Sequence, residues 1–158
     1  MSQTVQHSAG ADAVVQTAIL MEETGRDFYL ALAAAITGPE LIALCRKLAA
    51  EESDHRESFR RIRSELARQG QTVLLGDEQL ADARRSVRAS VLPDSETMRR
   101  SIAAGRLDDL LSMAIQMEAS AVSYYSGLAR DLPDPRPVEQ IIRQEQGHLR
   151  MLKAVRQG

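Results

Sequence analysis

Apolar residues recur at helical spacing in four long stretches, and polar chemistry interrupts each stretch near its middle. From about residue 12 to 36, Val15, Ala18, Ile19, Tyr29, Leu32 and Ala33 share one helical face. Glu22 lies on that face, four residues after Ala18 and seven before Tyr29. A carboxylate in an apolar stripe needs a partner. Its neighbour Glu23 sits beside Arg26 and Asp27 on a polar side, and reads as a solvated charge in reach of Arg26. Gly38-Pro39 ends this helix and starts the next, because proline is tolerated in a first turn. The second helix runs to about Gln69, with Gly70 as its stop signal. Its stripe is Leu41, Leu44, Cys45, Leu48, Phe59, Ile62 and Leu66, and Glu52 and His55 interrupt it. Other charges here, such as Arg46, Lys47, Glu51, Arg56 and Arg60, fall mostly off the stripe.

The third long helix, about 107–132, carries Leu111, Ala114, Ile115, Ala121, Val122, Tyr125 and Leu128, with Glu118 among them. Pro133-Asp134-Pro135 makes a tight break. The fourth, about 138–156, turns Val138, Ile141, Ile142, Leu149, Leu152 and Val155 inward, with Glu145 and His148 on the same face. Residues 1–11 are polar and read as a loose tail in which His7 is an ordinary solvated histidine. Residues 71–105 form a long connector with short helices. One is expected over 77–91, and another, capped by Asp94 or Ser95, ends near Gly105. A connector of this length can return the chain along the outside of a bundle, so helices two and three need not be hairpin neighbours. The whole chain, 1–158, is expected to form a single domain.

The four stretches are two copies of one pattern. Ala18-Ile19-Leu20-Met21-Glu22 parallels Ala114-Ile115-Gln116-Met117-Glu118, and the match continues without gaps from Phe28-Tyr29 to Tyr124-Tyr125. Glu52-Ser53-Asp54-His55 parallels Glu145-Gln146-Gly147-His148. Residues three apart share a helical face. Each half is thus a Glu helix followed by a Glu-x-x-His helix. Packing the halves about a pseudo-twofold axis brings four Glu and two His together in an otherwise apolar core. Each unpaired buried ion costs several kcal/mol, against a net domain stability of about 5–15 kcal/mol. Two divalent cations would balance the four carboxylates. Carboxylate and neutral imidazole suit iron, manganese or zinc. Two Glu can bridge the metals while each other Glu and each His is a terminal ligand; spacing alone does not say which Glu bridge. One Glu from each of two helices, with Glu-x-x-His from the other two, is the known ligand set of ferritin-like di-iron and di-manganese carboxylate bundles. A metal-free bundle held in register by its polar residues is the competing structural reading.

Composition narrows the alternatives. With 20 basic and 22 acidic residues and net charge -2, the chain carries no electrostatic footprint for nucleic acid. One cysteine, Cys45, excludes an internal disulfide and a centre needing several thiolates; on its apolar stripe it reads as a small core residue. No apolar run is long enough for a bilayer, and the polar start does not look like a signal peptide. A cytoplasmic protein is the expectation.

Met21-Glu22-Glu23-Thr24-Gly25-Arg26-Asp27-Phe28-Tyr29 and Ala50-Glu51-Glu52-Ser53-Asp54-His55 resemble the first- and second-helix ligand motifs of the rubrerythrin branch of the ferritin-like superfamily. The resemblance extends over all four long helices. It implies an all-α, antiparallel four-helix bundle with a long crossover between helices two and three. It also implies metal ligands Glu22, Glu52, His55, Glu118, Glu145 and His148, with Tyr29 and Tyr125 hydrogen-bonding ligand carboxylates. Two departures stand out. Rubrerythrins proper carry a rubredoxin-like domain with paired cysteines, for which this sequence has no counterpart. Many also carry a further ligand Glu one turn after the third-helix Glu, where this chain has Ala121. Nothing here resembles the fifth helix of cage-forming ferritins, which speaks against a storage shell.

Three functions follow as expectations. The first is an oxidoreductase in which ferrous iron reduces peroxide or O₂, with an external donor returning electrons and a role in oxidative stress. The second is iron binding, delivery or sensing without turnover. The third is the metal-free structural bundle. A homodimer is expected by resemblance. Replacing Glu23 or Glu51 is expected to leave metal content unchanged, unlike replacing Glu52 or His148.

Overall fold

The computed structural model describes residues 4–71, 77–78, 81–82, 85 and 95–158. Its elements are all helical: α1 (Thr4–Ala35), α2 (Pro39–Arg68), α3 (Ser95–Ala103), α4 (Leu107–Asp131) and α5 (Arg136–Gln157). No strand occurs among the described residues. Glycines set three of the boundaries. Gly38, Gly70 and Gly105 have φ of 105°, 70° and 62°, a region costly for side chains with a Cβ. Pro39 then occupies the first turn of α2. The helix expected over 77–91 lies mostly outside the described residues, although 77–78, 81–82 and 85 are helical.

Helix pairing can be followed through individual contacts. Arg63 reaches Asp12 while Gly25 faces Glu52, so α1 and α2 run antiparallel. Arg156 reaches Ser112 while His148 approaches Glu118, which makes α4 and α5 a second antiparallel pair. α1 packs on α4 and α2 on α5, joining the two hairpins. Two apolar clusters fill the interior. One gathers Val15, Phe59, Tyr125, Leu128 and Val138. The other gathers Tyr29, Leu32, Leu48, Leu110, Leu111 and Leu152. The inward polar residues separate them.

Three expectations change. The segment expected as a loose tail over 1–11 is helical from Thr4, because Ala11 belongs to the first apolar cluster and buried Asp12 bonds Arg63 and Gln16; residues 1–3 and the His7 side chain lie outside the described residues. Val155, expected inward, is 38% exposed, in the last turns of α5 beyond the buried Leu152. Glu23 faces Arg56 and Arg60 across the α1–α2 contact at 3.9 Å, whereas Arg26 pairs with Asp27.

Candidate metal centre

Each long helix contributes one inward carboxylate to a single layer. Glu22 comes from α1, Glu52 from α2, Glu118 from α4 and Glu145 from α5, all 5% exposed or less. Three residues on, one turn further along the same face, α2 and α5 add His55 and His148. Two groups of donor atoms result, each with its atoms within 4.8 Å of one another: Glu22, Glu52, His55 and Glu145, and Glu52, Glu118, Glu145 and His148. Glu52 and Glu145 belong to both. Spacing along the chain leaves that sharing open, and the packing of the helices decides it. Glu145 sits between the imidazoles, with Oε1 2.9 Å from His55 Nδ1 and Oε2 2.9 Å from His148 Nδ1. Glu22 Oε2 lies 3.6 Å from His55 Nδ1, and Glu118 Oε1 lies 3.5 Å from His148 Nδ1. The two rings are 5.6 Å apart and nearly parallel.

The outer faces of these side chains are tied down. The Tyr29 hydroxyl donates to Glu118 Oε1, and the Tyr125 hydroxyl donates to Glu22 Oε1. The bonds cross between the hairpins: each tyrosine holds the other half's glutamate. His148 Nε2 lies 3.0 Å from Glu51 Oε2, and His55 Nε2 lies 3.0 Å from Gln144 Oε1. Both imidazoles therefore turn Nδ1 inward. Gly25 makes room on α1, where a Cβ would stand 2.7 Å from Glu52 Oε2.

Burial sets the electrostatics. It raises the Glu22, Glu52 and Glu118 carboxyls well above their ordinary 4.5, and neighbouring carboxylates (Glu145 on Glu22, Glu22 on Glu52, Glu52 on Glu118) add to the rise. Burial also disfavours the Glu145 anion, but the His148 and His55 imidazoles against its oxygens more than offset this, and its carboxyl is lowered. Burial would neutralise the imidazoles. For His55 the proximity of Glu145 outweighs it, and for His148 that of Glu118, Glu145 and Glu52, so both are raised. Burial, reinforced by Glu118 and Glu22, keeps Tyr29 and Tyr125 protonated as donors. Cys45 lies outside the layer, its thiol pushed up to about 11 by burial, which makes it inert.

The donor set fits metal cations. Glu22 Oε2, Glu52 Oε1, both Glu145 oxygens and Nδ1 of His55 and His148 are buried without a hydrogen-bond partner. The short His–Glu145 approaches are close but not aligned as hydrogen bonds. Each unsatisfied buried group costs about 1–3 kcal/mol, more when charged. Atoms that converge without bonding one another are arranged for a shared cation. The six residues singled out by the repeat thus meet in one layer, and Tyr29 and Tyr125 touch it. Sequence reasoning missed Glu51, Gln144 and Gly25. Glu51, placed off the apolar stripe, contacts His148, so its replacement is no longer expected to be silent. The signal available was its position directly before Glu52, which places Gln144 before Glu145 in the repeat.

On the His55 side, among the described residues, a groove of about 530 Å³ reaches His55 and Gln144 and is bordered by Ser58, Arg61, Gln140 and Ile141. No helix among the described residues is long and apolar enough to cross a membrane.

No curated protein and no solved structure matches this chain. The family model described as Rubrerythrin matches residues 13–92, just over half of the 158 residues. That span holds Glu22, Glu52 and His55, and the fold brings Glu118, Glu145 and His148 to them. With a buried Glu and Glu-x-x-His layer of this kind across the matched half, the chain belongs to the rubrerythrin family.

Proposed function

We propose that this chain is a di-iron carboxylate oxidoreductase built as a single ferritin-like, antiparallel four-helix bundle with a crossover between its hairpins. The two overlapping, buried donor groups with inward atoms left unbonded carry the reading. Glu22, Glu52, His55 and Glu145 would hold one cation and Glu52, Glu118, Glu145 and His148 the other, with Glu52 and Glu145 common to both groups. Iron is favoured over manganese or zinc by family membership, and carboxylate with imidazole suits it. When bound as a ferrous pair, iron supplies the two electrons that, with two protons, reduce peroxide to water.

The protein's own groups prepare the site. Tyr29 and Tyr125 hold the terminal carboxylates in place across the bundle. The apolar clusters on either side keep bulk water out of the layer. The groove beside His55 gives a molecule as small as peroxide or O₂ an approach. An external donor protein returns the electrons, and the reading extends to a cytoplasmic homodimer.

Anaerobic protein loaded with ferrous iron and mixed with peroxide tests this proposal. Ferric absorbance should rise faster than with the same iron free in buffer; equal rates would contradict it. Ala121 favours a second reading, iron handling without turnover, because its small buried side chain stands where many relatives carry a further ligand Glu. A steady-state peroxidase assay with a generic electron donor separates the two, since only the enzyme turns over repeatedly.

A further inference from the structure

Glu51 and Gln144 occupy equivalent places in the two halves, one residue before Glu52 and Glu145. Each reaches across the α2–α5 contact to the imidazole of the other half. Glu51 Oε2 is 3.0 Å from His148 Nε2, and Gln144 Oε1 is 3.0 Å from His55 Nε2. The geometry is alike and the chemistry is not. A carboxylate only accepts, so Glu51 requires a proton on His148 Nε2, and the neutral imidazole that a metal would bind then has its Nδ1 lone pair facing inward. An amide can accept or donate, so Gln144 does not force the tautomer of His55. A bond to a carboxylate is also about twice as strong as one to a neutral acceptor. It makes the imidazole a better ligand. Lys47 Nζ lies 3.1 Å from Glu51 Oε1 and donates to Oε2 at 3.4 Å, which holds the carboxylate in place. Lys47 is half exposed, so water screens its charge while Oε2 stays aimed at His148.

We propose that Glu51 and Gln144 are positioning residues that make the two metal positions unequal, so that the His148 position (with Glu118) fills before the His55 position (with Glu22). This rests on the metal-binding reading above. The consequence is an ordered site, with one cation held early and a second added beside the groove.

Calorimetric titration of the metal-free chain with Co²⁺ under anaerobic conditions tests the order. The unmodified chain should bind in two resolved steps. Glu118→Ala should remove the tighter step and Glu22→Ala the weaker one. Glu51→Gln should weaken the tighter step about tenfold, the lower end of what losing an outer partner of a ligand histidine costs, and leave the other within twofold. Gln144→Glu should tighten the weaker step by a similar factor, a gain that misfolding cannot produce. The proposal is overturned if Glu51→Gln leaves both steps unchanged or weakens them equally, or if Gln144→Glu leaves the weaker step unmoved. If the unmodified chain binds no Co²⁺, the metal reading itself falls. If it binds two and the variants fail as described, only the inequality falls.

Discussion

The α1–α2 hairpin and the α4–α5 hairpin present the same Glu and Glu-x-x-His positions to the middle of the molecule, but they surround them differently. In the first, Gly25 lets α1 approach Glu52 so closely that a Cβ would meet its carboxylate. The matching position of the second half holds Ala121. His148 is backed by the Glu51 carboxylate, His55 by the Gln144 amide and a groove. What repeats is the set of groups that a pair of cations would need. What differs is the ring of contacts outside it, which helix packing and access to solvent are free to vary. The repeat therefore defines the centre, and the departures from it define how its two sides behave.

The sharpest way to break the comparison is to separate shared carboxylates from private ones. Glu52→Ala and Glu145→Ala each strip a group common to both donor sets, and should take bound iron from two equivalents to nearly none. Glu22→Ala and Glu118→Ala each touch one set, and should leave about one equivalent. Metal analysis after ferrous loading reads the difference; equal losses from all four would show that the sharing has no consequence.

Gly25→Ala should lower iron affinity about tenfold without altering a ligand, because the new Cβ displaces Glu52 from α1. Ala121→Gly should leave affinity alone and cost about 1 kcal/mol of helix stability. Equilibrium titration and chemical denaturation of the two variants check both halves of that contrast. The tyrosines should behave alike. Tyr29→Phe and Tyr125→Phe each leave a buried carboxylate oxygen without its donor, and each should cost about 1–3 kcal/mol in denaturant. A marked difference between them would show that the crossed hydrogen bonds are not equivalent.

The smallest effect concerns pH. In the metal-free protein, Glu22, Glu52 and Glu118 have raised values, so the stability they contribute is complete below 4.5 and is lost as pH rises through the folded values. His55 and His148, also raised, contribute fully below 6.5 and lose that contribution upward in the same way. Glu145, lowered, has its contribution in place above 4.5. The Tm of the metal-free chain should therefore fall between about pH 5 and 8, while bound metal should flatten the slope. Parallel thermal melts with and without iron show whether the gap widens with pH, and a constant gap would contradict the account.

Much of the centre was legible in the sequence because charge in an apolar stripe is conspicuous. Glu22, Glu52, Glu118 and Glu145 stand out on one face of each helix, and the gapless match of α1 to α4 says they belong together. Helical periodicity tells which residues share a face, but not which neighbouring helix stands opposite. That is why the crossed tyrosine bonds, the contact of Glu51 with His148 and the space over Gly25 emerged only from packing. The same limit explains Glu23, whose partners come from α2 rather than from its own helix. The early start of α1 was hidden for another reason: residues 1–11 looked like a loose polar tail, yet Asp12 just after them is anchored by Arg63, 51 residues away.

Whether the layer of Glu22, Glu52, His55, Glu118, Glu145 and His148 holds a metal pair is decided most directly by elemental analysis. The chain should be purified without chelator or affinity tag, and iron and zinc distinguished by anomalous scattering at their edges. The account predicts about two metal ions per chain, predominantly iron, in contact with these six side chains. Fewer than about one metal ion for every two chains would contradict it and leave the buried carboxylates as a structural register.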